Sequence, residues 1–242
     1  MRSSFVAFNL CLLFSLIISP NANANIQTKT IRYFGEARKD DQIIYREFHK
    51  VTFSPRNTIL KSKTEYKAPD GGLLCSLDSD YTLHSSAPTH TVFDYQTEEY
   101  YGIRYENNEL VMFHKYKDAA EKTKKIDTSS KDQTLVAAQG LNYFILENIE
   151  VLESKENIPF TFLIPGRLDE FNFVLKKVNQ PSDESLDLEL KVKSFWLKLF
   201  APKMLLKYDK IKKRLVYYKG LSNIRDKNGD RQVVEITYSY DN

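Results

Sequence analysis

The sequence predicts a mainly β protein: an antiparallel meander curled into a barrel or half-barrel, with one amphipathic helix inserted at about 141–152 and a short helical turn at about 194–200. Three observations carry this. Apolar residues recur with a period of two over most of the chain, short polar turns separate the alternating stretches, and a single stretch switches to helical spacing.

The chain opens in another style. MRSSFVAFNLCLLFSLIISPNANAN has one basic residue (Arg2), an apolar run from Phe5 to Ile18, the breaker Pro20, and then Ala22-Asn23-Ala24. This is the three-part pattern of a cleaved secretory signal. The apolar run is shorter than the roughly 20 residues that span a bilayer, and Cys11 lies inside it without the small residues a lipoprotein signal places before its cysteine. The expected division is therefore 1–24 as a cleaved signal peptide and 25–242 as one β-rich domain. The expected location is the periplasm, with further secretion left open.

Strands follow in order at TIRYFGEA, QIIYREFHKVTF, NTILKSKTEYK, GLLCSLDSDYTL, YYGIRYE and ELVMFHKY. Turn chemistry separates several of them, at Pro69-Asp70-Gly71-Gly72 and Asn107-Asn108. KYKDAAEKTKKIDTSSKDQ is polar and reads as an exposed loop. LNYFILENIEVL then places Leu141, Phe144, Ile145, Ile149 and Leu152 on one helical face. Period-two strands resume at PFTFLI, FNFVLK and LDLELKVK, where Leu186, Leu188, Leu190 and Val192 oppose Asp187, Glu189, Lys191 and Lys193. SFWLKLFAP holds the only tryptophan, Trp196, and Pro202 ends its helical turn. KMLLKYD, RLVYYKG and QVVEITYSY complete the strands, and the last two are joined by a reversal at Asn228-Gly229 that reads as a type I′ turn.

Little local chemistry is visible. DKNGD, from Asp226, supplies three oxygen ligands of a calcium loop, but Arg231 stands at the glycine position and Thr237 where the bidentate glutamate belongs. The four histidines show no close zinc spacing, and there is no Gly-x-Ser-x-Gly elbow or phosphate-cradling loop. No metal site, catalytic residue or cofactor is therefore expected, and no nucleic-acid partner. With Cys11 removed, Cys75 is the only cysteine, expected as a buried, inert thiol. His114 shares a strand face with Leu110 and Met112, where a hydrogen-bonded core histidine is the default.

The best candidate for more than packing is YREFHKV. On a strand Tyr45, Glu47 and His49 project from one side, bringing a carboxylate and an imidazole within reach. Facing inward they must be satisfied and can orient a ligand; facing outward they are a surface pair. Phe173 and Trp196 are added as candidate apolar contacts. Charge is also uneven: residues 191–242 hold 13 Lys or Arg against 5 Asp or Glu, while residues 25–190 hold 21 against 27. A basic surface of this kind can meet anionic lipid, or it can be the solvated face of strands.

GEARKDDQIIYREFH, VAAQGLNYFILENIEVL, FTFLIPGRLDEFNF and LLKYDKIKKRLVYYKGLSNIRDKNGDRQVVEITY, in that order, resemble a family of uncharacterised exported proteins of Gram-negative bacteria. The strand-rich layout with one helix is also similar to the lipoprotein-carrier and DUF3108-type half-barrels of the periplasm. The resemblance implies a periplasmic location and names no activity. Residues and resemblance together lead to the expectation of a non-enzymatic envelope module that binds or carries an apolar or lipid-like ligand. The alternative is a structural or assembly protein whose basic C-terminal surface meets membrane or an envelope partner; an enzyme of unrecognised type is the third reading.

Overall fold

The computed structural model describes residues 28–128, 133–155, 157–178, 184–193 and 203–241. Fifteen strands form one sheet: β1 (Lys29–Lys39), β2 (Gln42–Phe53), β3 (Ile59–Lys67), β4 (Leu73–Asp80), β5 (Thr89–Asp94), β6 (Glu99–Glu106), β7 (Glu109–Lys115), β8 (Lys122–Ile126), β9 (Leu135–Ala137), β10 (Asn157–Ile164), β11 (Asp169–Lys177), β12 (Ser185–Val192), β13 (Met204–Asp209), β14 (Arg214–Arg225) and β15 (Arg231–Tyr240). Spatial order runs β8 back to β1, then β15 down to β9. Every pairing is antiparallel except β9 on β10. That exception needs a crossover, which helices α1 (Gly140–Glu147) and α2 (Ile149–Ser154) provide.

The sheet is not closed by hydrogen bonds, since β8 and β9 remain its two edges. It closes by overlap. Ile103, Leu110, Met112 and Ile126, on the inner face of β6–β8, share a buried cluster with Ala137 of β9 and Leu163 of β10. The opposite faces of those last two strands, Val136 and Phe160, belong to a second cluster with α1, α2 and β11–β13. The β9–β10 end therefore lies inside the β6–β8 end, as in a scroll. This explains why FTFLI is apolar on both faces, a pattern that a strand with one wet face would not show. Each edge is blunted: β8 carries Lys122, Lys124 and Lys125, all exposed, and β9 is three residues long.

The expected strands are present with small differences in their bounds. Three were not anticipated: β5, between the expected strands GLLCSLDSDYTL and YYGIRYE, and β8 and β9, within or beside the polar run. Lys and Thr fill the rest of β8 because only Ile126 faces the core. The expected helix is two helices broken at Asn148, whose amide donates to the Phe144 carbonyl (2.7 Å) while its backbone N–H bonds Ile145 (3.1 Å). An asparagine competing for backbone groups in this way interrupts the helical ladder.

The reversal at Asn228-Gly229 is a different turn from the one expected. Asn107 and Asn108, with φ of 49° and 65°, make a type I′ turn, whereas only Gly229 (φ 83°) is left-handed in the late loop. Gly229 N–H bonds Asp226 C=O, and Asp226 N–H bonds Asp230 C=O, each at 2.9 Å. This is a type I turn followed by a left-handed glycine. Asp226 Oδ1 accepts from the N–H groups of Asn228 and Asp230, which commits that oxygen to the turn. The expected turn at 194–200, with Trp196, lies outside the described residues.

Candidate functional site

The scroll has two ends. The turns after β1, β3, β5, β10 and β14 lie at one, and those after β2, β4, β6 and β13 at the other. The second end is filled. Val51, Ile59 and Tyr81 pack there with Tyr143 of α1, and Phe144, Ile145, Ile149 and Leu152 carry the helical pair onto β10–β13. Gly140 is required at the start of α1, because a Cβ there would lie 1.9 Å from the carbonyl oxygen of Ser86 in the β4–β5 connection.

Inside the scroll the β2 row Tyr45, Glu47 and His49 faces inward, and all three side chains are buried. Glu47 Oε2 accepts from His49 Nε2 (3.0 Å) and from the Tyr238 hydroxyl (3.1 Å). His49 Nδ1 lies 2.9 Å from the Thr64 hydroxyl and 3.2 Å from the Gln139 amide nitrogen, which also donates to Thr64. Ser62 donates to Gln139 Oε1 (2.9 Å) and lies 3.0 Å from the Tyr81 hydroxyl. One assignment satisfies this chain: Tyr81 donates to Ser62, Ser62 to Gln139, Gln139 to Thr64, Thr64 to His49 Nδ1, and His49 Nε2–H to the Glu47 carboxylate. The Tyr33 ring stacks on His49 at 4.2 Å and an interplanar angle of 7°.

Five tyrosines feel the Glu47 charge, Tyr33 behind burial and its tyrosine neighbours. Burial, and then that charge, raises the phenol pKa of Tyr45, Tyr66, Tyr218 and Tyr238 above the ordinary range. All are held protonated and neutral. Ser222 donates to the Tyr45 hydroxyl at 3.2 Å, and the Tyr218 hydroxyl donates to Leu221 C=O at 2.9 Å. Among the described residues Glu47 has no Lys or Arg partner; His49, in the assignment above, meets it as a hydrogen-bond donor. Thr64, His49 and Glu47 form a hydroxyl–imidazole–carboxylate line, the order that activates nucleophiles. Here the hydroxyl is fully buried and already engaged by Gln139, so the line braces β2 against β3 and the strand that precedes α1.

Phe173 stands apart from this network. It stacks on Phe160 (5.8 Å, 17°) and meets Phe162 edge-on (6.0 Å, 73°), in the cluster that α1 and α2 cover from one side. Phe162 and Phe171, which face each other across β10 and β11, are only partly buried and lie toward the first end. Phe160, Phe162, Phe171 and Phe173 thus make an aromatic wall, sealed at the helices and accessible toward the mouth.

The rim above that wall is basic. Arg167, in the Pro165–Arg167 turn, lies over the Phe171 ring at 5.7 Å. Arg225 and Arg231 are cross-strand partners at the ends of β14 and β15. Burial, with Arg225 and Arg167 nearby, lowers the pKa of Arg231. Sequence reading did not single out these arginines, nor Ser62, Thr64 and Gln139. Ser62, Thr64 and Tyr66 do share one parity in ILKSKTEYK, a row of polar residues where a core-facing strand would carry Leu or Val; Gln139 gave no signal, because it meets His49 across 90 residues of chain.

The remaining histidines and the cysteine are structural. His114 bonds Glu99 (3.2 Å), as a core histidine should. His90 bonds the Pro88 carbonyl (3.0 Å), and burial lowers its pKa to about 4. Cys75 is buried, and desolvation with Asp94 and Glu47 nearby raises its pKa to about 12. Among the described residues no group of His, Cys, Asp or Glu could hold a metal ion, and no helix there is long and apolar enough to cross a membrane. An open depression of ≈ 630 Å³ beside the β13–β14 turn is lined by Glu184, Lys207, Asp209, Ile211 and Lys212 among others, so it offers no field of one sign.

No protein-family model matches the chain, and no curated protein does. Among solved structures it is similar to the crystal structure of a β-barrel-like protein of domain of unknown function DUF1849 from Brucella abortus, at 8% identity and a TM-score of 0.41, over 89% of this chain and 96% of that one.

Proposed function

We propose that the mature chain is an exported, non-enzymatic module of the envelope that holds an apolar or lipid-like ligand inside the scroll. The observation that carries this is the aromatic wall of Phe160, Phe162, Phe171 and Phe173, half-covered by α1 and α2 and part-exposed toward one mouth. Aromatic and aliphatic walls with a few placed polar groups are the usual lining of ligand sites. In this reading Phe173 belongs to the wall, Tyr45, Glu47 and His49 fix the opposite side of the scroll, and Trp196 is a further candidate contact. β8 and β9 share no strand ladder; the seam is held by the side chains of one buried cluster and by the Ala137 N–H, which donates to the Ser86 carbonyl (2.9 Å).

Two experiments test this. Organic extracts of mature protein purified from its native envelope should contain an apolar ligand in stoichiometric amount by mass spectrometry; a ligand-free protein would sink the carrier reading. N-terminal sequencing of the same sample should begin at Asn25; retention of residues 1–24 would contradict export by a cleaved signal.

A second reading has its own observation. Ile211, 73% exposed, projects from the β13–β14 turn between lysines 210, 212 and 213. An apolar tip within a basic turn suits an anionic membrane surface. That reading expects salt-sensitive binding to anionic vesicles, lost on Ile211→Ser with Lys212→Glu and Lys213→Glu; unchanged binding by the variant would count against it.

A further inference from the structure

Three arginines from separate segments converge where the aromatic wall opens. Arg167 follows the β10 strand inside the scroll, and the turn that carries it packs against β6 and β7. The neighbouring Gly166 faces the Tyr101 ring, which a Cβ at that position would meet at 3.5 Å. Tyr101, on the inner face of β6, packs in the cluster that contains Val234 and Ile236 of β15, which begins at Arg231. The scroll is therefore narrow here, and Arg231 lies near Arg225, Arg167 and Tyr101 at one opening.

What these cations lack is a counter-charge. Among the described residues none of the three is in an ion pair. Arg225 spends one N–H on the Gly229 carbonyl (3.0 Å), and Arg167 lies over Phe171. The nearest loop carboxylate in sequence, Asp226, accepts two backbone N–H groups of its own turn at Oδ1 and, among the described residues, is in no ion pair with the three arginines. Elsewhere Arg38 and Arg46 pair with Glu36, Arg104 with Glu106 and Glu121, and Arg214 with Asp209, while Arg32 and Arg56 stand singly and in no ion pair among the described residues. Holding three guanidinium groups together without an anion costs Coulomb energy that one oxyanion would reverse, and the guanidinium fork suits phosphate and carboxylate oxygens.

We infer that this mouth binds the anionic head group, a phosphate or carboxylate, of an amphiphile whose apolar part lies along Phe171 and Phe162. This rests on the apolar-ligand reading above and specifies the class of ligand. The cation–aromatic contact of Arg167 on Phe171 marks the place where head and tail would join.

Calorimetry on the mature full-length protein, stripped of bound lipid, tests it with three probes: dodecyl phosphate, an uncharged dodecyl ether of the same chain length, and inorganic phosphate. Dodecyl phosphate should bind more tightly than the uncharged ether. Arg167→Gln and Arg231→Gln should each weaken dodecyl phosphate by about tenfold, the usual scale for a lost charge-assisted hydrogen bond, and leave the ether unchanged. Equal binding of the two dodecyl probes by the unaltered protein would overturn the head-group site and leave the apolar-ligand reading standing. If neither binds, both fall. Inorganic phosphate binding as tightly as dodecyl phosphate, and lost in the same variants, would replace the amphiphile with a free oxyanion. Arg38→Gln, on the outer surface, controls for loss of general positive charge and should change none of these affinities.

Discussion

Replacing His90 with glutamine should remove a defined part of the pH dependence of folding. His90 is 2% exposed, and its ring Nδ1–H donates to Pro88 C=O (3.0 Å). Burial lowers its pKa from 6.5 to about 4, so the folded state disfavours the imidazolium. The sign follows from which state binds the proton more readily. Above the unfolded value of 6.5 both states are neutral and His90 contributes no slope; as pH falls from there toward 4 the unfolded chain takes up the proton first and stability is lost. At about pH 4.5 protonation stabilises the unfolded chain far more than the folded one, a net loss of about 2–3 kcal/mol. Urea unfolding of the wild type and of His90→Gln, at about pH 7.5 and about pH 4.5, isolates this figure as a difference of differences. Carboxylates whose pKa is lowered by ion pairs or turns, such as Glu36, Glu65 and Asp226, lose stability in the same window, but they do so equally in both proteins and cancel. The gap between variant and wild type should shift in favour of the variant by about 2–3 kcal/mol on acidification. Parallel stability profiles would show that His90 is not buried as described.

Three further outcomes are expected. Gly102→Ala would place a Cβ 1.9 Å from the His90 carbonyl oxygen, whereas Gly166→Ala meets only the Tyr101 ring at 3.5 Å; thermal melts should show the first destabilised by about 3 kcal/mol or more and the second by under about 1 kcal/mol, and equal losses would refute the close β5–β6 approach. Gln139→Ala strips partners from Ser62, Thr64 and His49, so chemical denaturation should show a loss of about 1–3 kcal/mol; a cycle with Ser62→Ala should give coupling above about 0.5 kcal/mol, and strict additivity would remove the chain of donors. Cys75, its thiol pushed up to about 12, should resist a thiol reagent near neutral pH in the folded protein and react once urea unfolds it; fast labelling of the native state would contradict its burial.

Most of the sheet was legible because burial on one face imprints a period of two. QIIYREFHKVTF is β2 residue for residue, and Leu186, Leu188, Leu190 and Val192 of β12 all lie in the core. Legibility failed where that rule has no purchase. β8 buries only Ile126, and β9 is too short to show a period. The overlap of the scroll was written in FTFLI as apolar character on both faces, yet which second layer covers Leu163 is a long-range fact. The same holds for the inner site: Tyr45, Glu47 and His49 could be placed on one side from spacing, but the partners that decide whether that side is inside come from β3, β15 and the residue before α1. The arginines of the mouth stand at strand ends and in a turn, where side-chain direction follows loop geometry and not periodicity.

The account stands most directly on whether the aromatic wall is occupied. The intact mass of mature protein, purified from its own envelope and sprayed under non-denaturing conditions, should show a stoichiometric adduct on the wild type. Phe162→Glu with Phe171→Glu, which puts two carboxylates on part-exposed positions of that wall, should lose the adduct while keeping the wild-type circular dichroism. A bare polypeptide mass for the wild type, or the same adduct on the folded double variant, would contradict it.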